Sequence, residues 1–388
     1  MKELLIREKK PQRGLLSVEW IAMGYLLLTV LMMVVLWDRL PHREAMLVGR
    51  MQFVAVTLAM WGVYWLYPCR LLMFGRILVQ MLFLSWWYPD TYELNRCLPN
   101  LDHVFATWEQ ALFGCQPALV FAQHVPYGWF SELMCLGYVS YCPLMLITYL
   151  YYFFRRYHEF QMTAFVILGS FFAYYVVFIF LPVTGPQFYY LAVGTDQIAQ
   201  GIFPNLHDWF LTHSERMAAP GWTDGFWYHM LDLTHDAGER PTAAFPSSHV
   251  GVTTVVFLLA LRTRSRGLIL TILPFYLLMC LSTVYILAHY AIDALAGLLT
   301  GTLFYLLLVA VWQRFIRPKT RARGLHRAKT KSRRPVTGQR GITQTSYDII
   351  SLCAPIRFRC RRRWRCCAAT YSCCPPPTSG PCRRRGSG

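Results

Sequence analysis

The chain is punctuated by apolar runs about as long as a bilayer is thick, at 17–37, 51–67, 71–88, 129–153, 160–182, 246–261, 267–286 and 289–315. A hydrocarbon core needs roughly 20 helical residues to cross it, and inside it a helix pairs its own backbone groups. The expected fold is therefore all-α, a polytopic membrane helical bundle with about eight transmembrane helices. The first run is longer than a signal-peptide core and leads into WDRLPHRE rather than a small-residue cleavage site, so it is expected to stay as an anchor. Composition agrees, with 55% hydrophobic and 15% charged residues, whereas soluble domains carry about 25% charged residues. That excludes an ordinary cytosolic enzyme. The 13 Trp suit a chain with many membrane interfaces.

The net charge of +18 resembles a nucleic-acid signal only until it is located. From Arg314 onward there are 20 Lys and Arg against the single acid Asp348, leaving 18 bases and 19 acids in the first 313 residues. No nucleic-acid partner is expected, nor is a protein partner indicated. The tail, 317–388, has no helical or strand period and reads as a disordered, basic, Cys-rich and Pro-rich segment. Its seven cysteines lack the spacing of a zinc site, and the other six stand singly in apolar stretches.

Charge also orients the runs. If eight helices alternate, the N-terminus, the turns at Arg70, Arg155–Arg156 and Arg262–Arg266, and the tail share one Lys/Arg-rich side. That side is expected to be cytoplasmic. The loops 89–128 and 183–245 then face outward, in a bacterial envelope into the periplasm. Arg39, Arg43, Arg50, Arg96, Arg216 and Arg240 are the bases of that outer side. Segment 111–122 is too short to span and is expected to lie in the interface.

Two stretches put polar chemistry at the outer ends of these runs. In Arg240-Pro241-Thr242-Ala243-Ala244-Phe245-Pro246-Ser247-Ser248-His249, a proline opens a helix. Ser247 and Ser248 are expected to offer backbone N–H groups and hydroxyls at its positive end, an anion site. In Ser282-Thr283-Val284-Tyr285-Ile286-Leu287-Ala288-His289-Tyr290-Ala291-Ile292-Asp293, His289 and Asp293 are four apart and share a helix face. Alternation brings His249, His289 and Asp293 to the same outer interface. Two imidazoles and a carboxylate beside an anion site suit phosphoryl transfer: one imidazole attacks phosphorus, the carboxylate orients it, and the other protonates the departing oxygen. An isolated buried histidine is ordinarily structural; the shared placement favours function. No cofactor and no metal is expected, since three clustered ligands without a second carboxylate make a poor metal site. A transporter would also carry intramembrane charge, but no internal repeat is visible.

Pro246-Ser247-Ser248-His249 and Ser282-Thr283-x5-His289-x3-Asp293 resemble the paired motifs of the type-2 phosphatidate phosphatase and vanadium haloperoxidase superfamily. The AFPS-x-H context and Thr283 in place of an arginine are similar to its inositol-phosphorylceramide-synthase branch. The resemblance implies that His289 is the nucleophile, Asp293 its orienter and His249 the general acid. It further implies a membrane enzyme that moves an inositol-phosphate-like headgroup between lipids or, alternatively, a lipid phosphate or polyprenyl pyrophosphate phosphatase. It covers residues 160–316, which makes 1–159 a leading set of helices and outer loops. The family's basic first motif has no counterpart, because no lysine occurs between 11 and 318. Pro182-Val183-Thr184-Gly185-Pro186-Gln187 stands in its place, with Gln187 where a phosphate ligand is expected. Fewer cations favour a phosphodiester over a dianionic monoester, with Arg240 as the compensating base.

Other residues carry weaker expectations. Glu132 lines the pocket or bonds a neighbouring helix. Arg76 and Gln80 snorkel or pack toward the cytoplasm. Gly297-x3-Gly301 permits close helix contact. Trp209, Trp222, Trp227 and Tyr228 form an interfacial cap.

Overall fold

The computed structural model describes residues 2–236 and 238–316; the basic tail expected at 317–388 lies outside the described residues. Every regular element among them is helical. The leading part contains α1 (Ser17–Val35), α2 (Arg43–Leu66), α3 (Arg70–Leu82) and α4 (Leu84–Asn95). Next come α5 (Asp102–Phe113), α6 (Pro117–His124), α7 (Gly128–Val139), α8 (Tyr141–Arg155) and α9 (Tyr157–Phe180). The outer loop holds α10 (Pro186–Val193), α11 (Thr195–Ala199) and α12 (Phe226–Asp236), before α13 (Ser248–Thr263), α14 (Arg266–Tyr285) and α15 (Ala291–Val311).

Six helices are long and apolar enough to cross a membrane, α3 with α4 counting as one and α15 running on to Ile316. The pair α7 and α8, bent by 47°, makes a seventh span if taken together. Pro143 accounts for the bend, because it has no N–H to return to the carbonyl four residues earlier. The eighth expected run is α13, a 16-residue apolar helix and therefore shorter than the others. All eight runs are helices, and the shortest of them carries Ser248 and His249.

The bundle is organised around α9, which is buried on every face from Phe160 to Ile179. It packs against α1, α4, α8, α13 and α15. By contrast, Leu299, Leu303, Leu306 and Leu307 of α15 are exposed, the apolar outward face that lipid would cover. The closest helix contact joins α13 to α15. A Cβ on Gly297 would meet the Ser247 carbonyl oxygen, and one on Gly301 would meet that of Gly251. The small-residue spacing thus does what was expected of it.

Two expectations are sharpened here and one is corrected. Segment 111–122 is divided between two short helices: Gly114, at φ 71°, ends α5 and Pro117 starts α6. Of snorkelling and packing, Arg76 and Gln80 pack: the Arg76 side chain is fully buried and forked onto Glu19 of α1, while Gln80 bonds Thr57. Arg50 is no loop charge: it lies buried in α2 and grips both oxygens of Asp90, at 2.7 and 2.8 Å.

Candidate active site

α13 begins where the sequence places its cap. The Ser247 hydroxyl accepts from the Val250 N–H at 3.3 Å. Its own N–H donates to the Asp293 carbonyl at 3.0 Å, which ties the start of α13 to the start of α15. The Ser247 backbone N–H is therefore committed, while its hydroxyl, an acceptor in this cap, keeps its own proton to donate. The N–H groups of Ser248 and His249, next in the first turn, find no partner among the described residues, as helix starts leave them.

His289 stands in the turn between α14 and α15. Its N–H donates to the Thr283 carbonyl at 3.0 Å, so Thr283 steadies the turn through its backbone. The Thr283 hydroxyl is buried without a partner. Nδ1 of His289 lies 2.8 Å from the Ala244 carbonyl and 3.6 Å from Asp293 Oδ2. A carbonyl can only accept, so Nδ1 carries the proton and Nε2 the lone pair. Asp293 Oδ2 accepts the Tyr290 N–H at 2.9 Å, closing a cap on α15, while Oδ1 is buried and unpartnered.

Across from this turn, His249 Nδ1 comes within 3.4 Å of His289 Nε2. The His249 ring is clasped by Tyr138 at 4.6 Å and Tyr141 at 4.5 Å between centroids. Those tyrosines lie on either side of the bend between α7 and α8, so the bend shapes the clasp.

The profile of the PAP2 superfamily matches residues 103–307, more than half of the chain. The chain belongs to the PAP2 superfamily. It is accordingly a phosphatase or phosphotransferase of lipid-like substrates. The match takes in residues 103–159, which a division at 159 would set among the leading helices. No curated protein and no solved structure matches the chain.

Around the histidine pair the remaining expected residues are placed unevenly. Gln187, at the start of α10, donates its N–H to the Leu287 carbonyl at 2.9 Å and so sits beside the His289 turn. Its side-chain amide is committed to Glu239. Arg240 is exposed and lines a 380 Å³ cavity with Arg96, His42, His213, Glu93 and Trp86; neither His249 nor His289 is among the lining residues. Arg216 is bonded to Asp232 at 2.7 Å and Asp236 at 3.1 Å. Glu132 accepts the Trp227 and Tyr228 N–H groups at 2.9 and 2.8 Å, the helix-bonding alternative. Trp209 stacks on His213, with centroids 3.8 Å apart.

Three acids were missed. Buried Asp102 accepts from Thr184 N–H and hydroxyl, Gly185 N–H, Asn100 and the Tyr290 hydroxyl, all within 3.0 Å. It thereby ties the loop before α10 to the histidine turn. Gly185, at φ 96°, lets that loop approach the Ala288 carbonyl closely. Glu109 accepts the Ile292 N–H at 3.0 Å, and burial raises its carboxyl to about 8. Burial likewise raises Glu239 to about 7, against the lowering effects of its Gln187 bond, Arg216 and His289. Their only sequence signal was an acid in a loop facing a membrane entry point.

Proposed function

We propose that the chain transfers a phosphate-containing headgroup, inositol-phosphate-like, from a donor lipid to the hydroxyl of an acceptor lipid through a phosphohistidine. The 3.4 Å approach of His249 to the unprotonated Nε2 of His289, beside the unpaired first-turn amides of α13, carries this reading. His289 Nε2 attacks phosphorus, the bond to the donor's alcohol oxygen breaks, and His249 supplies that oxygen's proton. Asp293 stabilises the imidazolium that forms on His289. The Ser248 and His249 amides hold the phosphate oxygens at the positive end of the helix, with the Ser248 hydroxyl beside them. Ser247 acts through its cap, Gln187 through Glu239, and Arg240 attracts anionic headgroups from the adjoining cavity. The acceptor's hydroxyl oxygen then bonds phosphorus as the bond from phosphorus to Nε2 breaks; the electron pair returns to Nε2 and the hydroxyl proton passes to a base.

The absence of any lysine from 11 to 318 favours a singly charged phosphodiester. The phosphatase reading shares the intermediate and lets water resolve it. In either case the Lys/Arg asymmetry supports a site on the outer side of the membrane, which in a bacterial inner membrane is the periplasmic face. Purified protein given labelled phosphatidylinositol, phosphatidate and ceramide is expected to move headgroup label onto ceramide. Phosphate release from phosphatidate without any transfer would contradict the transferase reading. Turnover is also expected to persist in excess chelator, because histidine bears the phosphoryl group; activity lost to chelation and restored by metal would contradict that.

A further inference from the structure

Beside the histidine pair lies a carboxyl group to which this mechanism gives no chemical step, only the bond from Gln187. Glu239 Oε1 accepts from the Gln187 amide. Its Oε2 lies 3.3 Å from His235 Nε2, yet the two are not aligned for a hydrogen bond, and both atoms are buried without a partner. Leaving two such groups unpaired is costly. A hydroxyl both donates and accepts, so one oxygen bridging the two atoms from the side, after a small shift of the rings and chain around them, would satisfy the carboxylate and an Nε2–H tautomer of His235 together. Burial, aided by Arg216, lowers His235 to about 3 and keeps its ring neutral. His235 also lines a 370 Å³ cavity with Ser214, Glu215, Arg216, Tyr228 and Asp232, which provides a polar approach from the outer loop.

We propose that Glu239 is the base that takes the proton of the hydroxyl resolving the phosphoenzyme, with Gln187 orienting the carboxylate and His235 holding the incoming oxygen. The inference rests on the phosphohistidine reading. The hydroxyl oxygen attacks phosphorus, and a P–O bond forms as the bond from phosphorus to His289 Nε2 breaks. The electron pair of the broken bond returns to Nε2, and the hydroxyl proton passes to Glu239 Oε2. The carboxyl then loses that proton to solvent, and His249 takes one back from solvent, which restores both groups for the next turnover.

The groups that face Glu239 support this role. They are Gln187 of α10, His235 of α12, Arg216 of the outer loop, Tyr88 of α4, Tyr138 of α7 and His289 of the turn. Arg216 is shared with Asp232 and Asp236, so none of these groups makes a direct ion pair with Glu239 from an arginine or lysine. A carboxyl that titrates at about 7 is suited to proton transfer at neutral pH.

The test is a burst experiment with an alkyl p-nitrophenyl phosphodiester as donor, whose leaving group departs as a stable anion. Glu239→Gln is expected to release about one equivalent of p-nitrophenol at the wild-type rate. It should then turn over roughly 10²–10⁴-fold more slowly, the scale of general base catalysis, while phosphoenzyme accumulates. Unchanged steady-state turnover, or loss of burst and turnover together, would overturn the assignment. His289→Ala must show no burst; a burst there overturns the phosphohistidine itself, a different failure. Should Glu239→Gln not accumulate in the membrane, wild-type phosphoenzyme chased with acceptor tests the same step. Its decay should accelerate as pH rises through about 7, while its formation does not. A flat decay profile would refute the proposal.

Discussion

The tautomer of His289 depends on a backbone carbonyl more than on its neighbouring acid. Ala244 is closer to Nδ1 than Asp293 is, 2.8 against 3.6 Å. Where a carboxylate alone fixes the tautomer, its amide replacement costs roughly 10⁴-fold. Asp293→Asn is therefore expected to cost about 10–100-fold, the scale of a supporting residue. A loss as deep as that of His289→Ala in the same turnover assay would mean that Asp293 orients the ring. Glu109 and Glu239 carry a second prediction. Each titrates higher in the folded protein than an ordinary carboxyl, at about 8 and about 7. A raised carboxyl contributes stability that is complete below its unfolded value, about 4.3, and is lost as pH rises through its folded one. The thermal unfolding midpoint should accordingly fall between pH 5.5 and 8.5. Glu109→Gln with Glu239→Gln should flatten that fall; an unchanged slope would place the titration elsewhere. His249, His289 and Asp293 were legible because two of them are four apart and the third opens an apolar run. Asp102 and Glu109 were not, because their partners are remote in sequence: Asp102 meets Thr184 and Tyr290, and Glu109 meets Ile292; Glu239 stands four from His235, but its bond to Gln187 spans 52 residues. A lone acid in a loop looks the same whether it is solvated or buried.

Among elements, the contact of α13 with α15 sets the distance between the two histidines. Gly301 lies against the Gly251 backbone, so any side chain there must push the helices apart. Gly301→Val is expected to cost about 1–3 kcal/mol, the range of overpacked cores. Turnover should fall further than stability alone explains, because His249 moves with α13. Wild-type kcat in a folded Gly301→Val protein would show that the contact does not position the site. The break between α5 and α6 was readable from Gly114 and Pro117, while the fork of Arg76 on Glu19 was not. A buried arginine and a snorkelling one have the same local sequence, and the deciding partner lies 57 residues away. The bend at α7 and α8 was likewise hidden inside one apolar run, although Pro143 marked the place.

Taken as a whole, the molecule follows its hydropathy closely: all eight runs became helices, and only α13 is markedly short. Orientation is a separate matter, because it depends on flanking charge rather than on packing. Thr223 is exposed in the outer loop and Arg266 is exposed at the start of α14. Thr223→Cys is expected to react with an impermeant thiol reagent in intact cells, and Arg266→Cys only after lysis. The reverse pattern would place the histidines on the cytoplasmic face. The proposed bond between phosphorus and His289 is tested most directly by quenching the enzyme in base during turnover of a donor labelled at phosphorus. Label stable to base and lost in acid, carried on the peptide containing His289 and missing from His289→Ala, is the predicted result. Label that persists in His289→Ala, or that maps to the peptide of His249, would contradict it.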